Sequence, residues 1–294
     1  MADISPGFML YRDPQHEIAS ALDVAEPICE FTTPDGVGHA LASVGRSGVL
    51  KRIVEGIGSR TLLIADGHHC YETALDYARE VSAAHPGAPD RAEHRFFLTY
   101  LLNGDDPGLV VLPTHRHIHS LPSFSFDRML ALASEDFVVS ALPSRAEAEA
   151  LLAVLARAAR RGPSVVAAAV DGRAALLTLR GDIDLSAHPT LAAQPAAPRR
   201  TDVTMLHAGI LERILEITPA AQAAKTNVWC RQDVGGALDE LRAGKGDVLF
   251  VMNPTTVAQV RDVAESGEVM PQKSTFFYPK VPAGLFCTLS IRVG

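Results

Sequence analysis

The residues best equipped for chemistry lie together in TLLIADGHHCYETALDYARE, residues 61–80. An apolar run meets an Asp-Gly turn, and two histidines and a cysteine follow at the start of a helical pattern. Strand, glycine turn and helix start leave backbone N–H groups converging on one spot, where the helix dipole adds positive character and favours an anion. Gly67 allows close backbone approach or a positive φ. His68 and His69 can donate to phosphate oxygens. Asp66 can hold a histidine tautomer, bind Mg²⁺ or accept from a hydroxyl. Two other readings stay open on residue types alone: a metal held by the adjacent histidines, and a purely structural turn. Cys70 is either a reactive thiol at a helix N-terminus or a small residue filling space.

These groups need elements to hold them. TLLIA (61–65) reads as a buried strand, and Tyr71, Ala74, Leu75, Ala78 and Val81 fall at helical spacing before Pro86-Gly87. HRFFLTYLLN (94–103) and GLVVLP (108–113) read as strands joined by a turn. Ser144 and Glu147 predict a capping box ahead of a helix over 145–160. SVVAAAV and RAALLTLRG flank Asp171-Gly172, a type I′ hairpin signal. A Pro/Ala-rich connector (186–200) precedes a helix with Val203, Leu206, Ile210, Ile214 and Ile217 on one side. A strand near 226–230, a helix near 233–243, a strand 247–252, a helix 255–266 and an extended, Pro-punctuated tail complete the reading. The expected class is α/β (α+β) in two lobes, 1–120 carrying the turn and 121–294 carrying MPQKST.

Composition bounds the function. The chain has 294 residues, 47% hydrophobic, enough for a sizeable core. A net charge of −7 argues against a nucleic-acid partner, since no basic stripe is available to neutralise phosphates. Cys29, Cys70, Cys230 and Cys287 lack CxxC spacing and read as free thiols of a reducing compartment. No apolar run reaches the roughly 18–20 residues of a membrane span, and the N-terminus lacks a secretory pattern. A cytoplasmic location is expected.

IADGHHCYETAL closely resembles the IADGHHRYETAL signature of the domain-of-unknown-function 1015 family. DDPGLVVLPTHR (105–116) resembles its GL-x-x-LPTHR segment, DVTMLH (202–207) its DV-x-x-LH helix, and residues 251–285 its C-terminal MPxKST region. The family in turn resembles the ParB/sulfiredoxin superfamily, especially free serine kinases, which phosphorylate the hydroxyl of free L-serine with ADP or ATP. The resemblance implies a ParB/sulfiredoxin-like first lobe, a nucleotide (ADP or ATP with Mg²⁺) at the turn, and a small serine-like substrate beside it. Asp66, Gly67, His68 and His69 match the turn. Asp66, His68 and His69 would be catalytic, Asp66 also the Mg²⁺ ligand. Position 70 and Arg116, from the LPTHR segment, would face phosphate. Lys273, Ser274 and Thr275 would hold the substrate. His207 reads as a satisfied core histidine.

Two departures qualify that picture. Cys70 stands where the family has arginine, whose guanidinium would donate bidentately to phosphate. Family members also carry a longer N-terminal part, with a His-Glu…Lys-Glu segment resembling the stretch of the proposed catalytic glutamate. Here His16-Glu17 matches a later family region, so Glu17 is not assigned as base. The shortened side would expose a sheet edge or apolar surface and invite a homodimer or a covering partner. Three functions follow as expectations: a serine-type kinase, weakened or lost; a non-catalytic ParB-like nucleotide-binding module; and a sulfiredoxin-like thiol activity at Cys70.

Overall fold

The computed structural model describes residues 2, 3, 6–268, 270, 271, 273–282, 284, 288 and 289. The protein has a mixed α/β fold, and its chain divides into two compact units: 1–110 with 277–294, and 111–276. The C-terminal stretch is thus grouped with the first unit.

The first unit is built on a three-stranded sheet. Gly7–Tyr11 is its centre, antiparallel to Leu63–Asp66 and parallel to Thr99–Asn103. All five residues of GFMLY are buried, as an apolar run covered on both faces requires. A hairpin of Glu26–Thr32 and Gly38–Ser43 and helices Glu17–Ala21, Ser47–Gly58 and His68–Ala84 accompany it. The end of the central strand is tied by polar groups. The Asp13 carboxylate is fully buried, ion-paired with Arg60 at 3.0 Å and accepting from Ile18 N at 2.8 Å. Asn103 Nδ2 donates to Asp13 O at 2.8 Å, and Asp13 N donates back to Asn103 Oδ1 at 3.0 Å.

The second unit is a six-stranded antiparallel sheet in the order Val228–Arg231, His115–Ile118, Val248–Met252, Ser164–Ala169, Ala174–Leu179, Phe137–Leu142. SVVAAA and VLFVM lack polar alternation because both faces are covered. Val165, Ala167, Val248 and Phe250 join one apolar cluster with Leu206 and Ile210. Val166, Ala168, Leu249 and Val251 join another with helices Ala148–Ala158 and Val234–Arg242.

Three local expectations are corrected. The helix at 148 starts from Glu147, with no side-chain cap bond, and Arg145 has a φ of 53°, so the Ser144/Glu147 box does not form. In the hairpin only Gly172 has positive φ (87°), and Gly172 N donates to Ala169 O at 3.0 Å while Ala169 N donates to Arg173 O at 2.9 Å. This is a three-residue loop, a type I turn followed by a left-handed glycine, in place of type I′. The expected helix from 203 begins as a short α-helix, Asp202–Thr204, and continues as a π-helix over Met205–Glu212. Arg213 N reaches back five residues to Ala208 O (3.3 Å).

Candidate functional site

In the first unit the strand Leu63–Asp66 runs directly into the 17-residue helix His68–Ala84 through Gly67. Gly67 is left-handed (φ 79°), and a Cβ there would stand 3.3 Å from Gly7 Cα, so both conformation and space call for glycine. The helix ladder opens with Tyr71 N to Gly67 O at 3.0 Å. The N–H groups of His68, His69 and Cys70 therefore have no acceptor within the helix, and no side chain caps this end. The His68 and His69 rings lie 4.0 Å apart at 44°, with the His69 side chain 82% exposed. Cys70 is exposed in the same turn. The five contiguous residues thus present three backbone donors, two imidazoles and a thiol at the positive end of a long helix.

Asp66 is engaged on both oxygens. Oδ1 accepts from Gly67 N at 2.9 Å, and Oδ2 pairs with the Lys280 ammonium. Among the described residues no three His, Cys, Asp or Glu side chains gather as a metal site. Mg²⁺ commonly takes one or two carboxylates and completes its shell with phosphates and water. Asp66, with its side chain half exposed, fits that single-carboxylate role if Lys280 yields to the ion.

Arg116, Lys273, Ser274 and Thr275 belong to the second unit. Arg116 sits on a wholly buried strand, sharing a face with Ile118 and so with the cluster of Leu206 and Ile210. Its guanidinium, 1% exposed, donates from Nη1 to Thr114 O (2.6 Å), from Nη2 to Lys273 O (3.0 Å) and from Nε to His207 Nε2 (3.1 Å). The Lys273 backbone, not its ammonium, is what meets Arg116. Ser274 is buried: its hydroxyl donates to Pro271 O, and its carbonyl accepts from Thr255 Oγ1 at 2.7 Å. That hydroxyl holds the segment's shape. Thr275 is half-buried.

Arg116 and Lys273 line a cavity of about 280 Å³ together with His207, Glu212, Lys225 and Cys230. His207 comes from the π-helix. Its Nδ1 donates to Gln222 Oε1 at 2.7 Å, leaving Nε2 as the acceptor for Arg116. Burial first, then the Arg116 charge, pushes its pKa down to about 3, against the pull of the Gln222 hydrogen bond. The ring is therefore a neutral, fixed acceptor that orients the guanidinium. The expected core histidine is satisfied, and it also lines the cavity. On the opposite face of the strand, burial and Arg116 bring His115 down to about 4, Asp233 opposing, and its Nδ1 accepts from Met252 N at 3.0 Å. Lys225, Glu212, Gln222 and Cys230 carried no motif. Only His207 lay within a recognisable segment.

Among solved structures the chain is similar to a conserved hypothetical protein from Pyrococcus furiosus, at 11% identity and a TM-score of 0.37, covering 95% of this chain and 89% of that one. It is also similar to a mutant free serine kinase in complex with ADP (10% identity, TM-score 0.35, covering 92% and 84%). A free serine kinase in complex with AMP gives 9% identity and a TM-score of 0.36, covering 92% and 83%. No curated protein matches the chain. Among the described residues no helix is long and apolar enough to cross a membrane. The sequence profile described as "Protein of unknown function (DUF1015)" matches residues 1–208, which carry the DGHH turn, the LPTHR segment and the DV-x-x-LH helix; the chain belongs to the DUF1015 family.

Proposed function

We propose that the Asp66–Cys70 turn binds the phosphates of a nucleotide, and that the protein descends from, and acts as, a phosphotransferase toward a small hydroxylated, serine-like metabolite. The observation that carries this reading is the uncapped start of helix His68–Ala84, with three backbone donors and two imidazoles at one point. Phosphoryl transfer asks mainly for positioning and charge neutralisation, which such a turn supplies. In this reading His68 and His69 hold phosphate oxygens, and Asp66 exchanges Lys280 for Mg²⁺ or for the attacking hydroxyl. Mg²⁺, when bound, would neutralise the phosphates. Within the second unit, Lys273 and Thr275 are the proposed ligands of a small hydroxylated compound, while Ser274 supports their segment. The ParB/sulfiredoxin-like character of the first lobe is part of the same proposal.

Cys70 favours a second reading, a nucleotide-binding module without turnover. A thiol cannot replace a guanidinium at a transferring phosphoryl group, and losing one such donor costs roughly a hundred- to a thousandfold in rate.

Calorimetric titration with ADP, ATP and CTP, with and without Mg²⁺, tests both readings. Saturable binding that is lost in His68→Ala and Asp66→Ala is expected, with tighter binding in Cys70→Arg. Phosphorylated product from a hydroxy-compound panel identifies the kinase, and binding without product identifies the module. Absence of binding in every folded variant overturns the proposal.

A further inference from the structure

We propose that the cavity of the second unit is itself a binding site for a small metabolite, held by an oxyanion head group against Arg116, Lys225 and Lys273. All three residues line the space, and among the described residues Glu212 is the one acidic residue that lines it with them. Three positive groups against one negative is the reverse of a chain whose net charge is −7. Among the described residues neither lysine ammonium has a carboxylate within ion-pair distance. The two lysine charges are thus not consumed by structural pairs, as surface lysines commonly are.

The backbone supports the same conclusion. Lys225 and Lys273 are both left-handed, at φ 57° and 58°. Non-glycine residues are uncommon in that region. Lys225 ends the helix Pro219–Ala224, and Lys273 is fixed through its own carbonyl to Arg116 Nη2. The guanidinium is oriented by His207, which Gln222 orients in turn. The guanidinium is thus a fixed positive charge at the wall of the cavity, which attracts an oxyanion through space. A π-helix supplies both His207 and Glu212, and such helices recur at functional positions.

Size and walls narrow the ligand class. About 280 Å³ is at the low end of small-molecule sites, too small for a nucleoside triphosphate. Pro198, Pro219 and Met270 give apolar wall. A short carbon chain ending in a phosphate or carboxylate fits, with an amino or hydroxyl group facing Glu212. The inference shares Lys273 with the proposed acceptor side and deepens that assignment. It does not depend on the Asp66–Cys70 turn.

Cys230 gives a built-in reporter. It is partly exposed and lines the cavity, whereas Cys29 and Cys70 are exposed on the first unit. The full chain is alkylated with limiting iodoacetate or neutral iodoacetamide, and each cysteine is quantified by mass spectrometry. The iodoacetate-to-iodoacetamide ratio at Cys230 is expected to exceed that at Cys29 several-fold. Glycerol 2-phosphate and succinate are then added separately. Protection by the first alone marks a phosphate head, protection by the second alone a carboxylate, and either supports the site. Lys225→Gln and Lys273→Gln, which leave Arg116 in place, are expected to abolish both the preference and the protection. Equal ratios at Cys230 and Cys29, or no protection by either compound, overturn the proposal. Nucleotide binding lost in Asp66→Ala is read separately, so failure at the turn and failure at the cavity are distinguishable.

Discussion

In the second unit a guanidinium is buried beside an imidazole and two carbonyls, over a floor that includes Leu206, Ile210 and Phe250. In the first unit the buried ion is a carboxylate, Asp13, tied to Arg60 and Asn103, and the apolar core around it is short: Phe8, Met9, Leu10, Tyr11, Ile18, Ala21, Val49 and Phe277. Helix His68–Ala84 contributes no buried residue at all. One unit is therefore held largely by apolar area and uses its buried guanidinium to shape a cavity. The other uses its buried charge to close its own sheet and keeps the Asp-Gly-His-His turn at the surface. An exposed turn can stand on a lightly buried helix, whereas a buried cation needs a rigid frame.

The contrast can be broken by substitution. Phe250→Ala removes a fully buried ring from the larger cluster and should cost about 3–5 kcal/mol in denaturant unfolding. Leu75→Ala, on the exposed helix of the first unit, should cost under about 1 kcal/mol. Comparable losses would erase the distinction. Asp13→Ala should cost the first unit about 3 kcal/mol, since Arg60 and the Ile18 N–H lose their partner. Hydrogen exchange should then accelerate at 7–11 and 99–103 while 248–252 stays protected.

Acid sharpens the comparison from the other side. His207 and His115 are held neutral in the folded state, at about 3 and about 4. A histidine whose folded pKa is depressed contributes stability above its ordinary value of 6.5, and that contribution is lost as pH falls toward the folded value. Between pH 6.5 and 4 the second unit should lose roughly 3 kcal/mol through His115, and a further amount through His207. Replacing His207 by Gln should flatten part of that slope; an unchanged slope would place the acid sensitivity elsewhere. Gly67→Ala should cost about 1–2 kcal/mol, because a Cβ is strained at φ 79° and crowds Gly7. Its larger expected effect is on nucleotide affinity.

The turn was legible because its chemistry is contiguous: an apolar strand, a glycine and a helical period are written within twenty residues. The sheet of the second unit was legible for the same reason, strand by strand, in VLFVM and SVVAAA. The cavity was not, since Arg116, His207, Lys225 and Lys273 come together only through the register of His115–Ile118 and the path of the π-helix. Ser274 matched a motif, yet its hydroxyl is turned onto Pro271, a direction no motif specifies. The Ser144/Glu147 pattern met a left-handed Arg145, and the backbone there decided against it.

The π-helix over Met205–Glu212 makes chain length a variable in its own right. Its wide turn accommodates more residues than an α-turn of equal rise. Deleting Gly209 would let the segment relax to the commoner form while leaving Ala208, Ile210 and Leu211, all buried in the core, in the chain. The downstream helix and Gln222 would then be re-phased about the axis relative to His207. An ordinary substitution scan of these positions would miss this sensitivity, and a deletion scan would find it.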